Sequence, residues 1–370
     1  MAELEKIETI SKKPELSRED IHFLLSLDDP DDIKYLGGLA YAVKKEHVGN
    51  RVYLRGLIEF SNICLKDCLY CGIRRSNESP QRFLMNRQEI LDAAEFAFKN
   101  RYGSVVLQSG ERTDGTFAEF VCSIVRDIKS ITHGKLGITL SCGEQNKETY
   151  RRFFEAGAHR YLLRIEASDR DLYGKLHPSG RQHDFDTRIR CLESLKEIGF
   201  QVGTGVMVGL PFQTVSNLVN DLMFIKKIDA DMIGLGPYIE HSQTPLYEFR
   251  QQLMPRQDRL MLTLKMIAVL RIMMKDINIA SATALQAIDG FGRERALRFG
   301  ANIIMPSLTP GEHRKDYLLY EDKPCIEENR DECKDCLEIR IKMAGDETGY
   351  EAWGDSLHFI NRNHKNQTYV

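Results

Sequence analysis

From Val52 onward, short apolar runs alternate with stretches whose apolar residues recur at helical spacing. The runs are Val52–Phe60, Ser104–Ser109, Leu136–Ser141, His159–Glu166, Val202–Val208, Met232–Gly236, Ile277–Thr283 and Ala301–Met305. Their length, Val and Ile content and flanking turn residues predict strands. Between them, Arg87–Asn100 places Ile90, Leu91, Ala94 and Phe98 on one helical face, and Tyr150–Ala156, Thr187–Ile198, Thr214–Ile228 and Asp258–Lys275 are similar. Gly157, Gly199 and Gly300 sit where helices close. Eight strand–helix units predict an α/β fold, a complete parallel (β/α)8 barrel over residues 51–310. A six-stranded open barrel is the alternative, because the last two units are the weakest in pattern.

Residues 1–50 read as helices, with Ser17-Arg-Glu-Asp20 resembling a capping box. They are expected to form a lid over the N-terminal end of the barrel. Residues 311–370 are charged and lack the alternation, so they are expected to form a C-terminal extension.

Composition narrows the class. The chain has 370 residues, 42% of them hydrophobic, enough for a full core. Its 51 basic and 54 acidic residues are well mixed, which gives no footprint for nucleic acid or a polybasic membrane patch. No apolar run is long enough to span a bilayer, and the start Met1-Ala-Glu-Leu-Glu-Lys lacks the apolar segment of a signal peptide. A cytoplasmic protein with reduced thiols is expected.

The nine cysteines are unevenly spread. Cys64, Cys68 and Cys71 fall within Cys64-Leu-Lys-Asp-Cys68-Leu-Tyr70-Cys71, in a polar loop after the first strand. Functional groups of such barrels sit after the strands, at the C-terminal mouth. Thiolates are ligands for iron–sulfur clusters and zinc. Three can hold three irons of a cubane and leave the fourth open. The alternatives are a structural zinc loop, which would want a fourth nearby Cys or His, and inert buried thiols. Cys325, Cys333 and Cys336 form a second cluster. It too lacks a fourth ligand, so a zinc knuckle, free thiols and an accessory iron–sulfur cluster all stay open.

Other candidates follow the strands. Gly110 and Glu111 end the second, where glycine permits close backbone approach. Thr139 and Ser141 share a face of the third, either aimed at the mouth or satisfied within the core. Arg164 and Glu166 share a face after the fourth, where inward charge is costly unless paired or bound to ligand. The ligand reading has Glu166 accepting from ribose hydroxyls and Arg164 or Arg188 gripping a carboxylate; the other reading is a mutual ion pair. Met207 precedes the turn Gly209-Leu-Pro211 after the fifth.

The C-x3-C-x2-C pattern with Tyr70 before its last cysteine resembles the signature of the radical S-adenosylmethionine (SAM) enzymes. With Ile58-Glu-Phe-Ser-Asn-Ile-Cys64, Val106-Leu-Gln-Ser-Gly-Glu111, Tyr161-Leu-Leu-Arg-Ile-Glu166, Met207-Val-Gly-Leu-Pro211, Asn302-Ile-Ile-Met305-Pro306 and the C-terminal triplet, the chain resembles the HydE-type maturases of FeFe-hydrogenase from about Val48 to Cys336. The resemblance implies a radical SAM barrel in which Cys64, Cys68 and Cys71 hold a 4Fe-4S cluster. It implies SAM bound at the open iron and cleaved reductively to methionine and a 5′-deoxyadenosyl radical. Tyr70, Gly110, Glu111, Thr139, Ser141, Glu166, Arg188 and Met207 are then cofactor contacts. Arg164, Thr283, Met305 and Tyr317 line the substrate end. Cys325, Cys333 and Cys336 hold a second cluster, 2Fe-2S or 4Fe-4S. The implied substrate is a small organometallic iron–cysteine species bearing carbon monoxide and cyanide, and the implied partners are the other hydrogenase maturases and an electron donor. One departure is Ala282-Thr283, where consecutive hydroxyls are expected.

Two alternatives keep the resemblance open. A methylornithine-synthase-type mutase or biotin-synthase-type sulfur inserter shares the superfamily; the inserter needs a second cluster in the barrel, for which only Cys142 and Cys191 are spare. A non-enzymatic iron–sulfur carrier would have no use for the inward Arg164 and Glu166.

Overall fold

The computed structural model describes the backbone of residues 2–326 and 330–368 and the side chains of 3–326 and 336–364. Eight parallel strands form a closed barrel: β1 (Arg51–Ser61), β2 (Ser104–Ser109), β3 (Gly137–Ser141), β4 (Arg160–Leu162), β5 (Gln201–Val208), β6 (Met232–Pro237), β7 (Asn278–Ser281) and β8 (Ile303–Ile304). β1 pairs with both β2 and β8, so the six-stranded open alternative does not hold. A ninth short strand, β9 (Glu347–Gly349), pairs with the first three residues of β1 before β2 takes over at Arg55.

The helices expected between strands form as Arg87–Lys99, Lys147–Glu155, Phe185–Ile198, Val215–Lys227 and Arg256–Met273. Their apolar faces and the outward side chains of the strands make the main core. Local signals set the boundaries. Asn86, Asp114, Asn146, Asp184 and Thr214 each accept a backbone N–H at a helix start, relieving one of the unpaired donors there. Ser17 and Asp20 exchange the two bonds of a capping box.

The N-terminal helices Arg18–Leu25 and Pro30–His47 pack against the outer helices Val215–Lys227 and Arg256–Met273 and thus flank the barrel. Its N-terminal end is met by residues 353–356 of the extension. There Arg55 and Asn278 donate to the Gly354 carbonyl, and Arg160 donates to the Trp353 carbonyl and Asp355. Lys44 and Asp346, 2.5 Å apart and fully buried, tie the two ends of the chain together. Burial lowers Lys44 to about 8 and raises Asp346, so desolvation outweighs their pairing. Among the described residues, no helix is long and apolar enough to cross a membrane.

Candidate functional site

The loop after β1 carries Cys64, Cys68 and Cys71, all half-buried, and lies at the C-terminal mouth of the barrel. Its shape comes from one cation. Arg82 donates to the carbonyls of Asn62, Ile73, Arg74 and Asn77 at 2.6–2.8 Å. Asn62 adds bonds to the Gln81 and Asp316 carbonyls. Gly110 lets the end of β2 press against the loop: a Cβ there would lie 2.4 Å from the Ile63 carbonyl oxygen. The Glu111 N–H then donates to Cys64 Sγ at 3.3 Å.

The thiols occupy a field that disfavours their anions. Burial raises Cys64, and burial with the neighbouring Cys64 pushes Cys68 up to about 12. Cys71 is raised by burial and then by Cys68 and Cys64. Three adjacent soft donors that repel one another as thiolates lack positive charge, and metal ions supply it. The donor set therefore fits an iron–sulfur cluster. His177 and His183 lie close enough to Cys68 to form a ligand group with it. His177 is engaged at both ring nitrogens, whereas His183 is engaged at Nε2 and keeps a buried Nδ1 without a partner. His177 contacts the Tyr173 carbonyl and the Tyr70 hydroxyl, and His183 Nε2 accepts from the Asp67 N–H. Burial lowers them to about 3 and about 4, so they stay neutral.

Beside the loop, four buried charges alternate in sign. Lys66 pairs with Glu111 at 3.0 Å and with Glu144 at 2.7 Å; Arg188 pairs with the same carboxylates at 3.4 and 2.8 Å. Burial works against Arg188, but the two carboxylates outweigh it and raise its pKa. Gly143, at φ +75°, makes room for Glu111: a Cβ would meet Glu111 Cγ at 2.0 Å. Arg188 thus stands in the first turns of the helix Phe185–Ile198, between β4 and β5, within a quartet rather than alone. Lys66 and Glu144 are additions. The signal for Glu144 is a repeat, since Ser109-Gly-Glu111 and Cys142-Gly-Glu144 end adjacent strands.

Arg164 and Glu166 form the ion pair that was the second reading for them, bidentate at 2.6 and 2.8 Å. Arg164 also donates to the Gly234 and Val206 carbonyls, which anchors it across β5 and β6. β4 stops at Leu162, and Glu166 adopts φ +65°, an uncommon backbone state for a non-glycine that often marks a functional position. Ser141 sits level with Gln108 and Glu59 in the layer nearer the mouth. Thr139 lies lower, and its hydroxyl accepts from Arg160 at 2.9 Å within the core. Met207 and Tyr70 pack on a small apolar cluster separate from the main core, with Ala167, Leu210 and Tyr238. Tyr317 is buried and bonded to Gln108, close enough to Cys71 and Cys64 to feel their charge. Thr283 opens a helix, Thr283–Ile288, instead of ending β7. Together with Met305, Cys325 and Cys336 it lines a cleft of about 80 Å³. Cys333 falls outside the described side chains. The spare thiols Cys142 and Cys191 are buried in the main core, within reach of the Leu107 and Gln145 carbonyls.

Residues 58–225 match the radical SAM superfamily. The [FeFe] hydrogenase maturase subunit HydE of Thermotoga maritima is 41% identical over 351 residues, 95% of this chain and 96% of that protein. The 3-methylornithine synthase of Methanosarcina acetivorans is 27% identical over 86% of each chain. The crystal structure of a methylornithine synthase aligns with a TM-score of 0.78 and 25% identity, covering 94% of this chain and 98% of that one.

Proposed function

Because the chain belongs to the HydE family of radical SAM proteins, we propose that its barrel mouth binds SAM beside a 4Fe-4S cluster held by Cys64, Cys68 and Cys71. The protein is an enzyme of FeFe-hydrogenase maturation. When bound and reduced, the cluster supplies one electron that splits SAM into methionine and a 5′-deoxyadenosyl radical.

The chain's own residues hold the nucleotide. Glu166 accepts from ribose hydroxyls and Ser141 contacts the nucleoside from the layer above Thr139. Met207 and Tyr70 offer an apolar wall to the adenine. The Gly110 backbone and Glu111 meet the ammonium group, and Arg188 meets the carboxylate. Thr139 takes no part, its hydroxyl being engaged by Arg160. Arg164, held by two carbonyls and Glu166, keeps a fixed positive charge at the substrate end with Tyr317. The substrate is a small organometallic iron–cysteine species delivered by a partner maturase, and the reductant is an external one-electron donor. Cys325, Cys333 and Cys336 hold a second iron–sulfur cluster outside the barrel.

The observation that carries this reading is the convergence of three thiols at the mouth of a closed barrel, next to a charged interior that a simple cluster carrier does not need. The test is anaerobic reconstitution with iron and sulfide, reduction with dithionite and addition of SAM. The expected product is 5′-deoxyadenosine, abolished in Cys64→Ala. Cluster transfer to an apo-acceptor with no 5′-deoxyadenosine would favour the carrier instead.

A further inference from the structure

The three sulfurs of the cysteine loop differ in what donates to them. Cys64 accepts from the Glu111 N–H at 3.3 Å, and Cys71 is reached by the Ile73 N–H. Backbone donors of this kind are fixed by the fold. Cys68 is reached instead by a side chain, the hydroxyl of Tyr70. A hydroxyl hydrogen rotates to suit its surroundings, and sulfur is a weak acceptor. Whether Cys68 receives that hydrogen therefore depends on what else lies beside the Tyr70 oxygen.

His177 lies there. Its Nδ1 is 2.9 Å from the Tyr173 carbonyl oxygen, which only accepts, so Nδ1 carries the ring hydrogen. The ring is 4% exposed; burial keeps it neutral, and Arg188 and Lys66 oppose a second proton. Nε2 is left as an acceptor, 3.3 Å from the Tyr70 oxygen. His183 does not compete for it, since the Nδ1 of that ring has no partner. The imidazole is also held in place. Tyr173 stacks on one face with ring centroids 4.0 Å apart, and the Tyr70 ring stands at 85° to it. The Tyr70 hydroxyl thus has two acceptors in reach, an imidazole nitrogen and a sulfur, and the nitrogen is the stronger.

We propose that His177 is a positioning residue that turns the Tyr70 hydroxyl hydrogen away from Cys68 and so keeps the cluster strongly reducing. Hydrogen bonds to the ligating sulfurs help to set the potential of an iron–sulfur cluster. They stabilise the added negative charge of the reduced state, so each one makes the cluster a weaker reductant. Withholding one at Cys68 favours the electron transfer that splits SAM. The proposal rests on reading Cys64, Cys68 and Cys71 as the ligands of a 4Fe-4S cluster, and it assigns His177 a role outside the ligand set.

Redox titration of the reconstituted full chain without SAM, following the paramagnetic signal that Cys64→Ala abolishes, tests the proposal. In His177→Leu, which offers no acceptor, the hydroxyl should turn to Cys68 and the midpoint potential should shift upward. His177→Gln, whose amide oxygen accepts, should lie nearer wild type. Adding Tyr70→Phe to His177→Leu should remove the upward shift. Tyr70→Phe alone should not fall below the wild-type potential, because the hydrogen it loses was not on the sulfur. That variant decides the matter if His177→Leu retains no cluster. An unshifted His177→Leu, a shift that survives in the double variant, or a lowered potential in Tyr70→Phe would each overturn the proposal and leave the cluster assignment standing. A wild type without the signal would overturn both.

Discussion

Arg82 is the residue on which the cysteine loop depends. It closes the loop by binding four of its carbonyls. Charge-assisted hydrogen bonds are each worth about 1.5–3 kcal/mol, and carbonyls left unpaired add to the loss. Arg82→Ala should therefore lower stability by about 3 kcal/mol or more. Iron retained after reconstitution should fall with it. Arg82→Lys should not rescue, because one ammonium cannot reach the positions that a planar fork spans. Iron content and Tm of the two variants check this; a wild-type iron content in Arg82→Ala would contradict it.

Asp221 acts on the opposite wall of the mouth. Its carboxylate accepts from the Ser168 N–H and hydroxyl, two residues beyond the left-handed Glu166. Burial raises it from 3.8 to about 7, with the Ser168 bonds opposing. A raised carboxyl pKa means that the folded state holds a proton which the unfolded chain has released. The stability this contributes is complete below about 3.8 and is lost as the pH rises to about 7. Asp221→Asn, neutral throughout, should show a flatter Tm–pH curve between pH 4 and 7 than wild type. Parallel curves would contradict the assignment.

At the scale of elements, the C-terminal helix Leu357–Thr368 is docked by charge. His358 lies between Asp229 and Asp276 at 2.6 and 2.8 Å, and Arg362 reaches Asp229 and Asp231. The bond to Asp276 raises His358 above 6.5 against an opposing burial effect. Its contribution is complete below 6.5 and is lost as the pH climbs through the raised value. Hydrogen exchange in 357–364 should speed up from pH 6 to pH 9 beyond the intrinsic pH effect. In His358→Gln that excess should vanish.

The elements also mark where sequence reasoning succeeds and stops. Period and turn residues locate β2 and β5 almost to the residue, because each is an apolar run with a capped helix after it. β4 was expected over His159–Glu166 and its regular part ends at Leu162; Glu166 still bridges Val206 of β5, but its backbone is left-handed and its side chain pairs with Arg164, whose other donors are held by carbonyls. That arrangement depends on carbonyls of β5 and β6, which no local pattern reports. The three cysteines are legible from spacing alone. Lys66, Arg82, His177 and His183 are not, because each depends on a partner 20 to 116 positions away along the chain. The same holds for residues 353–356, whose carbonyls meet Arg55 and Arg160 only once the barrel has closed.

For the whole molecule, a closed barrel sealed at one end by its own C-terminal segment leaves the other end for chemistry. Outer helices and core supply rigidity; the mouth gathers thiols, paired charges and a small apolar wall. The quartet of Lys66, Glu111, Glu144 and Arg188 links the cysteine loop to the ends of β2 and β3 and to the helix Phe185–Ile198, so the loop is set by the barrel rather than by itself. The measurement that tests this account most directly is electron paramagnetic resonance on reduced, air-free protein with Cys325, Cys333 and Cys336 replaced by Ala, before and after SAM is added. The account predicts a reduced 4Fe-4S signal that shifts when SAM binds and disappears in Cys64→Ala, Cys68→Ala and Cys71→Ala. A signal indifferent to SAM, or one that survives the loss of those three thiols, would contradict it.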